Sequence, residues 1–198
     1  MEEREQVHSI FDTLGVSVAE MKDRSPFSVF RRRFPWLLAT IASGTVCALL
    51  VGFFEATLAQ SLILAFFLTL VLGLGESVSM QTMAITVHFM HHRSAQSGWY
   101  LEVLHREITR TLLLAVACGA IVGLIAWVWR GEAAAALVIG SGIFLSLLLA
   151  GFIGVSVPSL LHRLKLDLRV ASGPLTLALA DICTVVTYFS LATKILAP

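Results

Sequence analysis

The sequence predicts an all-α integral membrane protein with five membrane-spanning helices per subunit. Hydrophobic residues make up 57% of the 198 residues and charged residues only 14%, and the mean hydropathy is +0.86. Soluble domains are much more polar than this. Five apolar stretches are each long enough to cross about 30 Å of hydrocarbon at about 1.5 Å per residue. They cover residues 34 to 54, 57 to 90, 110 to 129, 136 to 157 and 173 to 196.

Residues 1 to 33 form the only substantial polar segment, which we expect to be a cytoplasmic amphipathic region preceding the membrane domain of residues 34 to 198. No cleaved signal is predicted, because the acidic start MEEREQ is not followed by an apolar h-region before residue 34. Apolar residues at i, i+3, i+4 and i+7 predict a short helix that lies on the membrane surface or packs beneath the bundle. They are Val7, Ile10, Phe11 and Leu14.

The second apolar stretch is too long for one ordinary span and too short for two spans with a loop. The sequence VLGLGESVSMQT interrupts it with two glycines and several polar side chains. Broken helices are tolerated in membranes where they face protein or a water-filled cavity. We therefore expect one crossing with a break or bend between Gly73 and Ser79.

The distribution of basic residues predicts the orientation in the membrane. Of the 14 Lys and Arg residues, all but Arg130 and Lys194 lie on one side of a five-span arrangement. The positive-inside rule then places the N-terminus in the cytoplasm and the C-terminus outside. With an odd number of spans and no clear internal repeat, a symmetric pore would need a second chain.

One carboxylate, Asp181, lies within the otherwise uncharged segment LALADICTVVTYF. A charge at the bilayer centre costs about 3 kcal/mol or more, so such residues usually face a protein interior or a watery path. On a helix, Asp181 shares one face with Gly173, Leu177 and Thr184. Two copies of Asp181 across a dimer axis would suit Mg²⁺, which prefers oxygen ligands and retains several waters. The alternative is a protonated or threonine-bonded aspartate that only ties two helices together.

Four further residues carry weaker signals. Glu55, at the outer end of the first span, could attract cations or simply mark the helix end, and Glu76 could serve an ion path or be a satisfied carboxylate within the second span. His88 and His92 have the i, i+4 spacing that can hold a transition metal, although rings at a helix end often reach for the interface.

The three cysteines lack CxxC spacing and no hydrolase motif occurs, so we expect neither a disulfide framework nor an enzyme.

Several segments together resemble the transmembrane domain of MgtE-type magnesium channels, over about residues 33 to 196. They are RFPWLL, FFEATLAQ, GLGESVSMQT, GVSVPSLLHRLKLDLRVASGP and LALADICTVVTYFSLAT. The last two are the most specific, because they hold the family's spacing of glycine, proline, serine and aspartate. The matching residues are Gly154, Pro158, Asp167, Ser172, Gly173, Pro174 and Asp181.

The resemblance implies a homodimer with five helices per subunit and a central pore, in a prokaryotic plasma (inner) membrane. Largely hydrated Mg²⁺ would pass down its electrochemical gradient, with Asp181 of both subunits selecting the ion. Backbone carbonyls of Gly173 and Leu177 would hold its water shell. Glu55 and Asp167 match acidic positions of the family pattern.

Two departures from the family pattern bear on selectivity and regulation. The second-span motif, similar to GGNAGxQ in the family, is GESVSMQ here, with Glu76 and Ser77 in place of Gly and Asn, so Mn²⁺ or Co²⁺ stays open as the transported ion. Family members often carry cytoplasmic Mg²⁺-sensing domains, which 33 residues are too few to encode. We therefore expect an ungated pore, gating by the N-terminal helix, or a separate regulatory protein at the cytoplasmic face.

The sequence thus favours a divalent cation channel or transporter, most simply for Mg²⁺. A proton-coupled secondary transporter of Mn²⁺ or Co²⁺, using Asp181 or Glu76 as a relay, is one alternative. The other is a non-transporting membrane scaffold that recruits a partner through residues 1 to 33 and the loop from His91 to Arg110. The composition gives no support for nucleic acid binding.

Overall fold

A computed structural model describes residues 26–92, 99–165 and 168–196, and all of its regular elements are helices. The predicted N-terminal amphipathic helix and Asp167 lie outside the described residues. The all-α prediction is confirmed within these ranges. The helices are α1 (Pro26–Phe53), α2 (Glu55–Gln60), α3 (Ile63–His92), α4 (Trp99–Arg130), α5 (Ala133–Arg163) and α6 (Leu168–Leu196).

Among the described residues, four helices are long and apolar enough to cross a membrane. These candidate spans are Ile63–Met90, Trp99–Arg130, Ala133–Arg163 and Ser172–Leu196. The first predicted span coincides instead with a shorter apolar helix, Leu37–Phe53, which lies within α1. Its 17 residues would extend about 25 Å, less than the hydrocarbon thickness of about 30 Å. A fifth crossing therefore stays a prediction.

Of the predicted break or bend between Gly73 and Ser79, the break is wrong, because α3 runs as one helix through this region, and the bend stays a prediction. The polar side chains there bond within the helix instead of interrupting it. Ser79 Oγ donates to the Glu76 carbonyl oxygen at 3.0 Å, and Gln81 Nε2 donates to Ser77 Oγ at 3.1 Å. The long apolar stretch is interrupted earlier, at Ser61, where the short helix α2 ends.

The connection between α4 and α5 is a tight turn. Gly131 has a positive φ of 73°, a conformation that glycine adopts without the steric cost paid by other residues. Its N–H donates to the Trp127 carbonyl oxygen at 2.7 Å, which closes the last turn of α4. The turn makes α4 and α5 antiparallel neighbours.

Helix α5 lies at the centre of the bundle and packs against α3, α4 and α6. Its residues Ile139, Ile143 and Leu147 are almost completely buried. Small residues let its neighbours approach closely, as is usual between membrane helices. An ideal Cβ at Gly119 of α4 would lie only 2.6 Å from the Gly140 carbonyl oxygen of α5.

Helix α6 is fixed against α2, α3 and α5 by its C-terminal half. Tyr188 is fully buried, its hydroxyl donates to the Leu64 carbonyl oxygen at 3.2 Å, and its ring occupies the space beside Gly142. Nearer the end of α6, the hydroxyls of Thr57 and Thr193 are 2.9 Å apart. These contacts set the height of α6 relative to α3, and so position the residues one to two turns before Tyr188.

Candidate ion-binding site

Asp181 lies near the middle of the α6 span, where α6 packs against α3. The side chain is partly buried, and its Oδ1 atom is inaccessible to solvent and has no hydrogen-bond partner among the described residues. A buried carboxylate oxygen that lacks a partner is energetically costly in a low-dielectric environment. Asp181 therefore keeps one carboxylate oxygen without a partner in the described part of the fold.

A close approach of α3 to α6 brings a second carboxylate to Asp181. An ideal Cβ at Gly75 would lie 3.1 Å from Oγ1 of Thr184, which is buried one turn beyond Asp181. Glu76, the next residue on α3, interacts electrostatically with Asp181 and lies within hydrogen-bonding reach of it. Two carboxyl groups from different helices thus meet at mid-membrane depth.

The exposed face of α3 is polar in its middle, from Gly73 to Gln81, where no described residue covers it, and exposed apolar residues such as Leu70 and Ile85 flank this part. Gly73, Glu76, Ser77 and Gln81 are all exposed, although they lie within the span Ile63–Met90. Polar groups at this depth face protein or water rather than lipid, because hydrocarbon cannot satisfy their hydrogen bonds. The exposed polar groups of α3 therefore need hydrogen-bond partners, either from another protein surface or from water.

The opposite face of α3 is packed tightly on α5. An ideal Cβ at Gly154 would lie 2.7 Å from the Ser79 carbonyl oxygen and 2.8 Å from Cβ of Thr82. Ser79 and Thr82 are both almost completely buried. The contact with α5 therefore fixes which face of α3 is presented outward.

The remaining residues predicted from the sequence are spread along the same bundle. Gly173 and Leu177 are partly exposed on α6, toward its N-terminal end, and no atom lies within 4 Å of an ideal Cβ at Gly173. Glu55 is exposed at the start of α2. His88 is exposed near the end of α3, and the side chain of His92 lies outside what the structure describes.

Direct protein ligands at the site are few. Within the described ranges, no group of three or more His, Cys, Asp or Glu side chains is placed to hold a metal ion. One or two carboxylates with several retained waters is an arrangement typical of Mg²⁺ rather than of a tetrahedral transition metal. Among the described residues, the direct ligands that the fold offers here are thus the carboxyl oxygens of Asp181 and Glu76.

Sequence reasoning missed the part of α1 that approaches this site. Cys47 is buried on α1 and lies close enough to Asp181 for the two side chains to interact electrostatically. Nothing in the spacing of Cys47 indicates this proximity, because the two residues are 134 positions apart along the chain. Helices α1, α3 and α6 therefore meet around Asp181.

Comparison with known proteins decides the family. The model of the MgtE family, described as a divalent cation transporter, matches residues 68–191, which include both Glu76 and Asp181. The chain belongs to the MgtE family. The resemblance predicted from the sequence is confirmed, as are the expectations of a membrane protein and of a transporter family rather than an enzyme.

Three proteins named magnesium transporter MgtE are similar to the chain. That of Bacillus subtilis is 29% identical over 171 residues, covering 86% of this chain and 38% of the relative. That of Enterococcus faecalis is 26% identical over 178 residues, covering 90% and 39%. That of Thermus thermophilus is 26% identical over 197 residues, covering 98% and 43%. The chain thus spans about two fifths of the length of these relatives.

Proposed function

We propose that the chain is a divalent cation channel or transporter that carries Mg²⁺ through a pore at the axis of a homodimer. Asp181 of each subunit is the selecting carboxylate. The observation that carries the proposal is the polar, uncovered face of α3 beside Asp181, at a depth where lipid cannot solvate it. Membership of a family of divalent cation transporters supports the same function.

The same surface supports the proposed dimer. Two copies that place their α3 and α6 faces toward a common axis remove Glu76, Ser77 and Gln81 from lipid and enclose a hydrophilic path. Asp181 from both subunits then supplies two negative charges, which balance one divalent ion. The ion keeps most of its water, because Mg²⁺ dehydrates reluctantly.

The rest of the path is assigned by position. Gly173 and Leu177, on the cytoplasmic half of α6, present backbone carbonyls that hold the ion's water shell. Thr184 supplies a hydroxyl on the outer side of Asp181. Glu55 lies near the outer mouth, and Asp167 stays an ion-path candidate from the sequence alone. Helix α1 is the fifth crossing, with the N-terminus in the cytoplasm and the C-terminus outside the inner membrane.

A proton-coupled transporter is the second candidate, and one observation favours it. The neighbouring carboxyl groups of Glu76 and Asp181 could hold one proton between them at mid-membrane depth. Such a transporter would move Mn²⁺ or Co²⁺ in exchange for, or together with, that proton. A channel needs only the ion's own gradient.

Liposomes that contain only the purified protein separate these possibilities. With ion-sensitive dyes inside, we expect Mg²⁺ to enter down its gradient at equal internal and external pH, and faster than Ca²⁺. Uptake of Mn²⁺ or Co²⁺ that requires an imposed pH gradient would support the coupled transporter instead. Liposomes that admit none of the four ions faster than protein-free liposomes would contradict both.

A further inference from the structure

We propose that Glu76 is a second ion ligand of the Asp181 site, and that each subunit contributes a Glu76–Asp181 pair to which a divalent cation binds with part of its water removed. This inference rests on the proposed function and deepens it. It assigns to Glu76 the discrimination between ions that lose water readily and ions that do not.

The fold places the two side chains together through contacts on both sides of α3. The tight crossing at Gly154 fixes the rotation of α3 against α5, and the approach of Gly75 to Thr184 brings α3 to α6 one turn from Asp181. Glu76 then lies beside Asp181 and stays exposed on the uncovered face. Its carboxylate is therefore available to an ion on the proposed axis.

No Lys or Arg lies near the pair along either helix. The chain has none between residues 34 and 92, and none between residues 170 and 193. Ionised carboxylates without a counter-charge are rare and costly within a membrane. Two subunits would gather four carboxyl groups at one depth, which demands either protons or a bound cation.

The lack of a hydrogen-bond partner for one Asp181 oxygen among the described residues is evidence for a bound cation. Oδ1 is buried and accepts no hydrogen bond from the residues that the structure describes, although hydroxyl groups such as that of Thr184 lie nearby on the same helix face. A pair held together only as a structural hydrogen bond would be expected to satisfy its buried oxygens. A cation bound at the pair would instead supply the positive partner that this carboxylate lacks.

Direct ligation has a consequence for selectivity. Mg²⁺ demands near-ideal octahedral geometry and gives up water reluctantly, whereas the larger Mn²⁺ ion also binds carboxylate ligands and exchanges its water more readily. A site with one carboxylate per subunit holds a hydrated ion and discriminates weakly between the two. A second carboxylate per subunit adds direct bonds, which favour Mn²⁺ more than Mg²⁺.

Binding of Mn²⁺ to the detergent-solubilised protein, followed by electron paramagnetic resonance, tests this directly. We expect Glu76→Gln to raise the Kd for Mn²⁺ by about tenfold or more. The Kd for Mg²⁺, measured by competition, should rise less, and Glu76→Asp should keep part of the affinity. Glu132→Gln, which changes an exposed glutamate in the turn before α5, is the matched control and should bind as the wild type does.

Flux in liposomes distinguishes failure of this inference from failure of the proposed function. Wild-type Mn²⁺ affinity in Glu76→Gln, with normal flux, would overturn the role of Glu76 and leave the pore intact. Wild-type protein that neither binds Mn²⁺ nor carries any ion would overturn both. Weaker Mn²⁺ binding in Glu76→Gln together with a lower Mn²⁺ to Mg²⁺ flux ratio would support the assignment.

Discussion

Asp181→Asn is expected to reduce Mg²⁺ flux by about a hundredfold or more. The substitution keeps the size of the side chain but removes one negative charge from each subunit, so an ion at mid-membrane depth loses its counter-charge. Uncompensated charge at this depth costs at least about 3 kcal/mol, which corresponds to a factor of about a hundred. Initial rates of Mg²⁺ entry into liposomes measure the effect.

The control for this substitution is again Glu132→Gln, which also replaces a carboxylate with an amide but lies in the exposed turn before α5. It should retain wild-type flux. Size-exclusion profiles of all variants should show the same oligomer. Flux in Asp181→Asn within a factor of about two of the wild type would mean that the carboxylate does not select the ion.

Gly154→Ala is expected to destabilise the bundle and to lower flux with it. The added Cβ would lie 2.7 Å from the backbone oxygen of Ser79, which no side-chain rotation can move away. Overpacking of a buried contact typically costs about 1 to 3 kcal/mol. Because α3 carries Glu76 and the polar face, separating α3 from α5 also displaces the proposed pore wall.

Thermal unfolding in detergent and flux in liposomes measure these two effects. The matched control is Gly44→Ala in α1, where no atom lies within 4 Å of an ideal Cβ. It should unfold at or slightly above the wild-type temperature, because alanine favours a helix more than glycine does. Equal unfolding temperatures for Gly154→Ala and the wild type would show that the contact between α3 and α5 adjusts to the added methyl group without loss of stability.

The helices were predictable because a membrane imposes a length and a composition on every span. The span of α6 and its aspartate follow from hydropathy and from the cost of a buried charge. The position of the helix break did not follow, since glycine and serine near Glu76 can either open a helix or bond within it. Only the three-dimensional packing decides between these, and here Ser79 and Gln81 bond locally.

The pairing of Glu76 with Asp181 was beyond sequence reasoning for a different reason. The two residues are 105 positions apart, and the sequence predicts each of them separately as an intramembrane carboxylate. Their proximity depends on the close approach of Gly75 to Thr184, and the small size of Gly75 has no meaning until the helix opposite it is known. The proximity of Cys47 to the same site is likewise a product of tertiary packing.

The central claim is that the exposed face of α3 borders water rather than lipid. Reaction of Ser77→Cys with a charged, membrane-impermeant thiol reagent tests it most directly. The background should lack the three native cysteines, Cys47, Cys118 and Cys183, and retain flux. Ile121→Cys, on the exposed apolar surface of α4, is the lipid-facing control.

We expect the cysteine at position 77 to react rapidly and to lose flux on modification, with Mg²⁺ slowing the reaction, while the cysteine at position 121 stays unreactive. A position 77 cysteine as unreactive as that at position 121, in protein that still carries Mg²⁺, would contradict a water-filled path along α3.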